Sequence, residues 1–155
     1  MVVTQGFQVY QRAYAWYRLF RHWAGMRFDD TAGLPPQLLE RRARGVFGVL
    51  RRTKTSGPDK KVSILPVFVS QDAWAGRPWL WEGFDLWMSA ALHYPRDYFL
   101  VLPNKDFTGT CKKRAKYSDA VGFSRSLLRM LRHDDESEES CPLLYPDAIT
   151  FWTEH

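Results

Sequence analysis

Acidic residues are scarce in the first half of this sequence. Residues 1–69 carry twelve Lys and Arg against four Asp and Glu, a surplus of eight, whereas residues 70–155 carry ten against thirteen. Five of those thirteen acids crowd into Asp134-Asp135-Glu136-Ser137-Glu138-Glu139. Cysteine is nearly absent as well, with Cys111 and Cys141 the only two. They have neither metal-ligand spacing nor a partnering histidine pattern. That excludes a zinc module and a disulfide scaffold, and it fits reduced thiols in an intracellular protein. No apolar run has the length and purity of a membrane span. The N-terminal Met-Val-Val-Thr-Gln-Gly lacks the basic-then-apolar order of a signal peptide, and no internal repeat is present.

What remains is a chain of 155 residues, 45% apolar and 15% aromatic, with seven Trp. That is enough for one domain with a real core. The basic surplus falls around the first predicted helix and the hairpin that follows. A face of that kind favours a polyanion, with nucleic acid the first candidate; a basic surface without a partner is the plain alternative.

The chain is organised around Gly45–Ser70, which reads as a β-hairpin. Its arms are Gly45–Arg52 and Lys61–Val69, both rich in Val, Ile, Leu and Phe. Between them, Ser56-Gly57-Pro58-Asp59 is a turn signal: Gly57 accepts positive φ and Pro58 pre-sets the first central position. Pro66 has no N–H to give a ladder, so the second arm belongs at a sheet edge or at a bulge. Lys54 sits in the loop. On the plain reading it is a solvated turn lysine; on the functional one it is presented to a partner.

Phe7–Ala24 reads as a helix whose Tyr10, Ala13, Tyr14, Tyr17, Phe20 and Ala24 form a broad apolar stripe, widened by Trp16, Leu19 and Trp23. We read the stripe as core rather than as a base-stacking platform, with Gly25 as the C-cap. Met26-Arg27-Phe28-Asp29-Asp30 follows, offering either a weak surface ion pair or an arginine steered toward a phosphate. Leu34-Pro35-Pro36 breaks the chain, and Gln37–Arg44 fits a short helix or a strand equally well. Beyond the hairpin, Trp79–Leu92 is a second helix. Asp97–Pro103 is a short buried connection, and Asn104–Lys116 a polar, basic loop. Tyr117–His133 is an amphipathic helix with Ser118 as N-cap and Val121, Phe123, Ser124, Leu127, Leu128 and Leu131 inward. Asp134–Ser140 is an acidic loop. Pro146-Asp147 opens a last helix, Ala148–His155, with no stop signal, so the sequence is expected to be cut short there.

Three of these pieces fall in a familiar order. Gly25-Met26-Arg27-Phe28-Asp29-Asp30 follows a helix. Arg52-Thr53-Lys54-Thr55-Ser56-Gly57 sits on a hairpin before Ile64-Leu65-Pro66-Val67. Phe151-Trp152-Thr153-Glu154-His155 lies on the final helix. Together they resemble the catalytic domain of the tyrosine recombinases, the phage-integrase family. Arg27 matches the first arginine of that family, with Met26 for its leucine and Asp30 at its acidic position. Lys54 matches the hairpin lysine. His155 matches the histidine of the His-x-x-Arg box, at which the sequence is expected to be truncated. No residue matches the second arginine, the third-box residue or the nucleophilic tyrosine.

The resemblance implies a mainly helical α+β domain with a small antiparallel sheet, the hairpin at about 45–69, spanning residues 1–155 as a single, C-terminally incomplete unit. It implies a DNA-binding fragment of a mobile-element enzyme that breaks and rejoins DNA through a 3′-phosphotyrosine. This chain alone is then expected to be inactive. Attack on a phosphodiester builds negative charge on a five-coordinate phosphorus, and arginine donors stabilise it. By resemblance Arg27 is such a donor, Lys54 the general acid for the departing 5′-oxygen, and His155 a phosphate contact, with Asp30 orienting Arg27. Arg51, Arg52, Lys60 and Lys61 are the expected DNA-binding side chains. The partner is double-stranded DNA, with self-association on DNA left open. No membrane, metal or other cofactor is implied, and the location is nuclear if the source is eukaryotic. A non-enzymatic DNA-binding remnant and a type IB topoisomerase relative are the alternatives.

Overall fold

The structure is a computed structural model that describes residues 2, 6–51, 59, 64–74 and 78–130. The chain forms two compact units, residues 1–114 and 115–155. In the first unit, helix α1 spans Val9–Trp23 and α2 spans Trp79–Met88. Strands β1 (Glu40–Arg42), β2 (Gly45–Leu50) and β3 (Leu65–Ser70) form an antiparallel sheet with β2 in the middle. Strands β4 (Val101–Pro103) and β5 (Thr110–Arg114) pair as a second, two-stranded sheet. The second unit contributes α3, Tyr117–Met130. This is an α+β architecture with three α-helices among the described residues.

Helix α1 is core because its aromatic positions repeat every three or four residues. Tyr10, Ala13, Tyr14, Trp16, Tyr17 and Phe20 are all buried. At its start the Gln11 side chain reaches back 2.9 Å to the N–H of Gln8. Its end is a Schellman turn, with Gly25 at φ 64°, where a side chain would be strained. There the N–H of Gly25 donates to His22 O and that of Met26 to Arg21 O, at 3.1 and 3.0 Å.

The two helices of the first unit hold one another by reciprocal indole bonds. Trp16 Nε1 donates to Leu80 O and Trp87 Nε1 to Ala13 O, each at 2.9 Å. Such bonds let two large rings be buried without an unpaired N–H. Gly83 permits the approach: a Cβ there would stand 1.9 Å from Trp16 Cδ1. Phe99 completes the aromatic core, its ring centre 4.7 Å from Trp87 and 5.5 Å from Tyr17. Tyr17 in turn meets Thr31 Oγ1 at 3.1 Å. Because the Thr31 hydroxyl donates to Phe28 O at 2.6 Å, its proton is already committed, so Tyr17 is the donor.

One arginine is part of this core. Arg96 is buried, and its Nε donates to Tyr98 O and Phe99 O while Nη1 donates to Leu92 O and Tyr94 O. The guanidinium thus pins residues 92–99 as they leave α2. Burial lowers its pKa from the ordinary value, and the neighbouring Tyr94 acts in the opposite sense. Burial and a hydrogen bond to Tyr98 raise the pKa of Tyr94 well above that of a free phenol.

Several sequence expectations are corrected. Gln37–Arg44 divides between its two readings: a 3-10 turn, Pro36–Leu38, leads into β1, Glu40–Arg42, which begins the sheet. Helix α2 stops at Met88 rather than Leu92, because Ser89 takes extended geometry and its hydroxyl caps Leu86 O at 2.6 Å. Asn104–Lys116 is not an open loop. Asp106 Oδ1 accepts the Thr108 hydroxyl at 2.8 Å, and Asn104 Oδ1 accepts the Gly109 N–H at 3.0 Å. These bonds close a turn that turns Thr110–Arg114 back onto β4. The same turn docks on α1, where Tyr10 N–H donates to Phe107 O at 2.8 Å. In the second unit Ser118 lies inside α3 rather than capping it. Asp119 Oδ2 accepts the Lys116 N–H at 2.7 Å instead. Ala120, Val121, Ser124 and Leu127 are buried along α3, and Phe123 and Leu128 half-buried. Leu131 to His155, including the expected acidic loop, Cys141 and the last helix, lie outside the described residues. Cys111 is a free, exposed thiol.

Candidate nucleic-acid interface

The sheet has a closed face and an open one. Along β2 Val46, Gly48 and Leu50 are buried and paired with Val69, Val67 and Leu65 of β3; Gly45 is buried too, beneath the Phe68 ring. This alternation turns one face toward Leu34, Leu39 and α2, and at Gly48 a Cβ would stand 2.8 Å from Leu39 Cδ2. The opposite face carries Phe47 directly across from Phe68, with Glu40 of β1 in the same row. Phe68 is 48% exposed. Strand β3 is an edge strand, and Pro66 sits in it, as the missing N–H requires.

Arginines surround this sheet. Arg42 lies over the Phe47 ring, 3.9 Å from its centre, and Nη2 and Nε bond to Glu40 Oε2 at 2.8 and 3.2 Å. Arg41 lies over Trp81 at 4.5 Å, with Asp85 Oδ1 3.5 Å from its Nη1. Arg44 and Arg51 are exposed at the two ends of β2 and form no ion pair among the described residues. The main-chain N–H of Arg51 is tied to Gly33 O at 2.9 Å, which fixes where that side chain leaves the sheet.

Arg27 is positioned by its neighbours. Met26 and Phe28 on either side are buried, so Arg27 is held outward, and it is exposed. Asp30 acts on its backbone: the carboxylate accepts the Arg27 main-chain N–H at 2.9 Å. The guanidinium forms no ion pair among the described residues. Of the expected site, Arg27, Asp30 and Arg51 are therefore described, whereas Lys54, His155, Arg52, Lys60 and Lys61 lie outside the described residues. Among the described residues no three His, Cys, Asp or Glu side chains gather to hold a metal ion. No helix among them is long and apolar enough to cross a membrane.

The grouping of Arg42, Phe47 and Phe68 on one face was not foreseen from the sequence. Its signal was present in the alternation of β2 and β3, which makes 47 and 68 outward positions. The reading spent Phe47 and Phe68 only as strand formers. No protein-family model, curated protein or solved structure matches this chain.

Proposed function

We propose that this chain binds duplex DNA through the basic surface of its first unit, as the catalytic domain of a tyrosine recombinase does. The observation that carries the reading is the placement of the charge surplus of residues 1–69. Arg27, Arg41, Arg42, Arg44 and Arg51 are all exposed, and three of them have no acidic partner among the described residues. Free guanidinium groups are the donors a phosphate backbone needs. The α+β fold with its small antiparallel sheet is compatible with a recombinase-type core. On this reading Arg27 is a phosphate donor, Lys54 the general acid and His155 a further phosphate contact. Strand breakage and rejoining is the reaction these residues would serve.

The test is a titration of labelled duplex with the full chain at two salt concentrations. We expect weak binding with little sequence preference, whose affinity falls steeply as salt rises because bound counterions are released. Absence of binding at low salt, or an affinity indifferent to salt, overturns the proposal. Arg27→Ala tests the particular donor. It should weaken binding alike on all sequences and flatten the salt dependence by about one ion.

A further inference from the structure

We infer that the open face of the three-stranded sheet is a stacking platform for the bases of a single strand of nucleic acid. The inference goes beyond duplex binding, because a duplex hides the base faces this surface would use. Three observations point to it.

First, Phe47 and Phe68 are cross-strand partners, so both side chains leave the same face of the sheet. Second, Phe68 is held in place although it is exposed. Its ring lies over Gly45, where an added Cβ would be 2.7 Å from Phe68 Cζ, so the absence of a side chain at 45 is what lets the ring rest on the strand. An exposed ring that is already fixed loses little freedom when a planar group stacks on it. Third, Arg42 lies over Phe47 at 3.9 Å and is steadied by Glu40. Bases stack on guanidinium planes as well as on rings, so Arg42 and Phe68 together offer two neighbouring seats.

The surrounding charge selects the occupant. Glu40 is the only acid in residues 40–51, against Arg42, Arg44 and Arg51, with Arg41 turned to the other face over Trp81. Arg44 and Arg51 bracket β2, about 23 Å apart over seven extended steps. A strand of nucleic acid laid along β2 would put bases on the Phe68 ring and the Arg42 guanidinium, and phosphates near both ends. A protein strand adding to the β3 edge fits less well, because Pro66 interrupts the donors of that edge.

The test uses the full chain and two labelled single strands of equal length and charge, an oligothymidylate and an abasic strand. The oligothymidylate should bind about tenfold more tightly, the difference being the stacking contribution. Phe68→Leu keeps apolar bulk at a surface position and removes the ring, and it should erase that difference. Phe68→Trp should widen it. Duplex affinity should be unchanged in both variants, with circular dichroism matching that of the parent. Equal affinity of the parent for the two strands overturns the inference, as does an oligothymidylate affinity unmoved by Phe68→Leu. Self-association of the free chain that Phe68→Leu abolishes also overturns it, since a second copy would then cover the face. Loss of duplex binding alone, with the base-dependent difference intact, defeats the duplex reading and leaves this one standing.

Discussion

Arg96 and Arg42 each lie over an aromatic ring, one inside the 92–99 segment and the other in water on the sheet. The exposed pair is the closer, 3.9 Å for Arg42 over Phe47 against 4.5 Å for Arg96 over Tyr94. Distance does not decide which matters more to stability. Arg42 exchanges its hydration for one ring face and one carboxylate, both already solvated, and gains little. Arg96 has left water; carbonyls of Leu92, Tyr94, Tyr98 and Phe99 replace the hydration of Nε and Nη1, while Nη2 is buried with no hydrogen-bond partner among the described residues. Removing it takes a donor from all four carbonyls, and the contacts to Leu92 O and Phe99 O are the buried ones. The same pair of residue types is a structural clamp in one place and a presented surface in the other.

The largest effect should follow from Arg96→Met, which keeps apolar length and removes every donor. Equilibrium unfolding in urea should show a loss of about 3 kcal/mol, set by the orphaned carbonyls rather than by the ring contact. Arg96→Lys should recover little of it, because an ammonium cannot reproduce a fork that spans separate carbonyls. A loss below about 1 kcal/mol for Arg96→Met would break the contrast between the two arginines, since that is what a surface pair gives.

A smaller effect lies on the alkaline side. The Tyr94 pKa is raised from its ordinary 10.0, first by burial and then by its hydrogen bond to Tyr98, while Arg96 pulls it down. A raised folded-state value means that the neutral phenol is what the fold prefers. The contribution is fully present below pH 10 and is lost as pH rises through the folded value. Stability should therefore decline above pH 10, and Tyr94→Phe should decline less steeply over that range. Identical slopes for parent and variant would show that Tyr94 is not the group responsible.

How much of this was legible in the sequence depended on whether the cause was local. The α1 stripe repeats at helical spacing, Gly25 meets a backbone need at one position, and the β2–β3 hairpin follows from two alternating apolar runs. All three are present in the structure. Strand β5 was not legible because Thr-Cys-Lys-Lys-Arg has no buried alternation. Its pairing comes from the turn bonds of Asn104 and Asp106 instead. Arg96 was not legible because its partners are carbonyls, which every residue has. For the site, the outward placement of Arg27 followed from the apolar residues beside it, yet the Asp30 carboxylate holds its main chain and not its guanidinium. Stacking of Arg42 on Phe47 depends on a register set by the β1–β2 pairing, and no single motif encodes that.

The smallest effect on stability should be that of Arg42→Met, and it is the one that separates presentation from support. Both Arg42 and Glu40 are more than half exposed, at 53% and 58% of their side-chain surface. Charge attraction there is screened by water, and the methionine can still cover Phe47, so unfolding in urea should shift by no more than about 0.5 kcal/mol. Binding should respond differently. Loss of one cation should lower single-strand affinity and reduce its salt dependence by about 0.7 of an ion, the amount one phosphate contact contributes on a single strand. Glu40→Gln supplies the converse, since it frees the same guanidinium and removes the acid beside it, and it should tighten binding at low salt. If Arg42→Met instead costs as much stability as Arg96→Met, Arg42 supports the sheet rather than facing a partner. The grouping of Arg42, Phe47 and Phe68 would then be ordinary packing at a sheet surface.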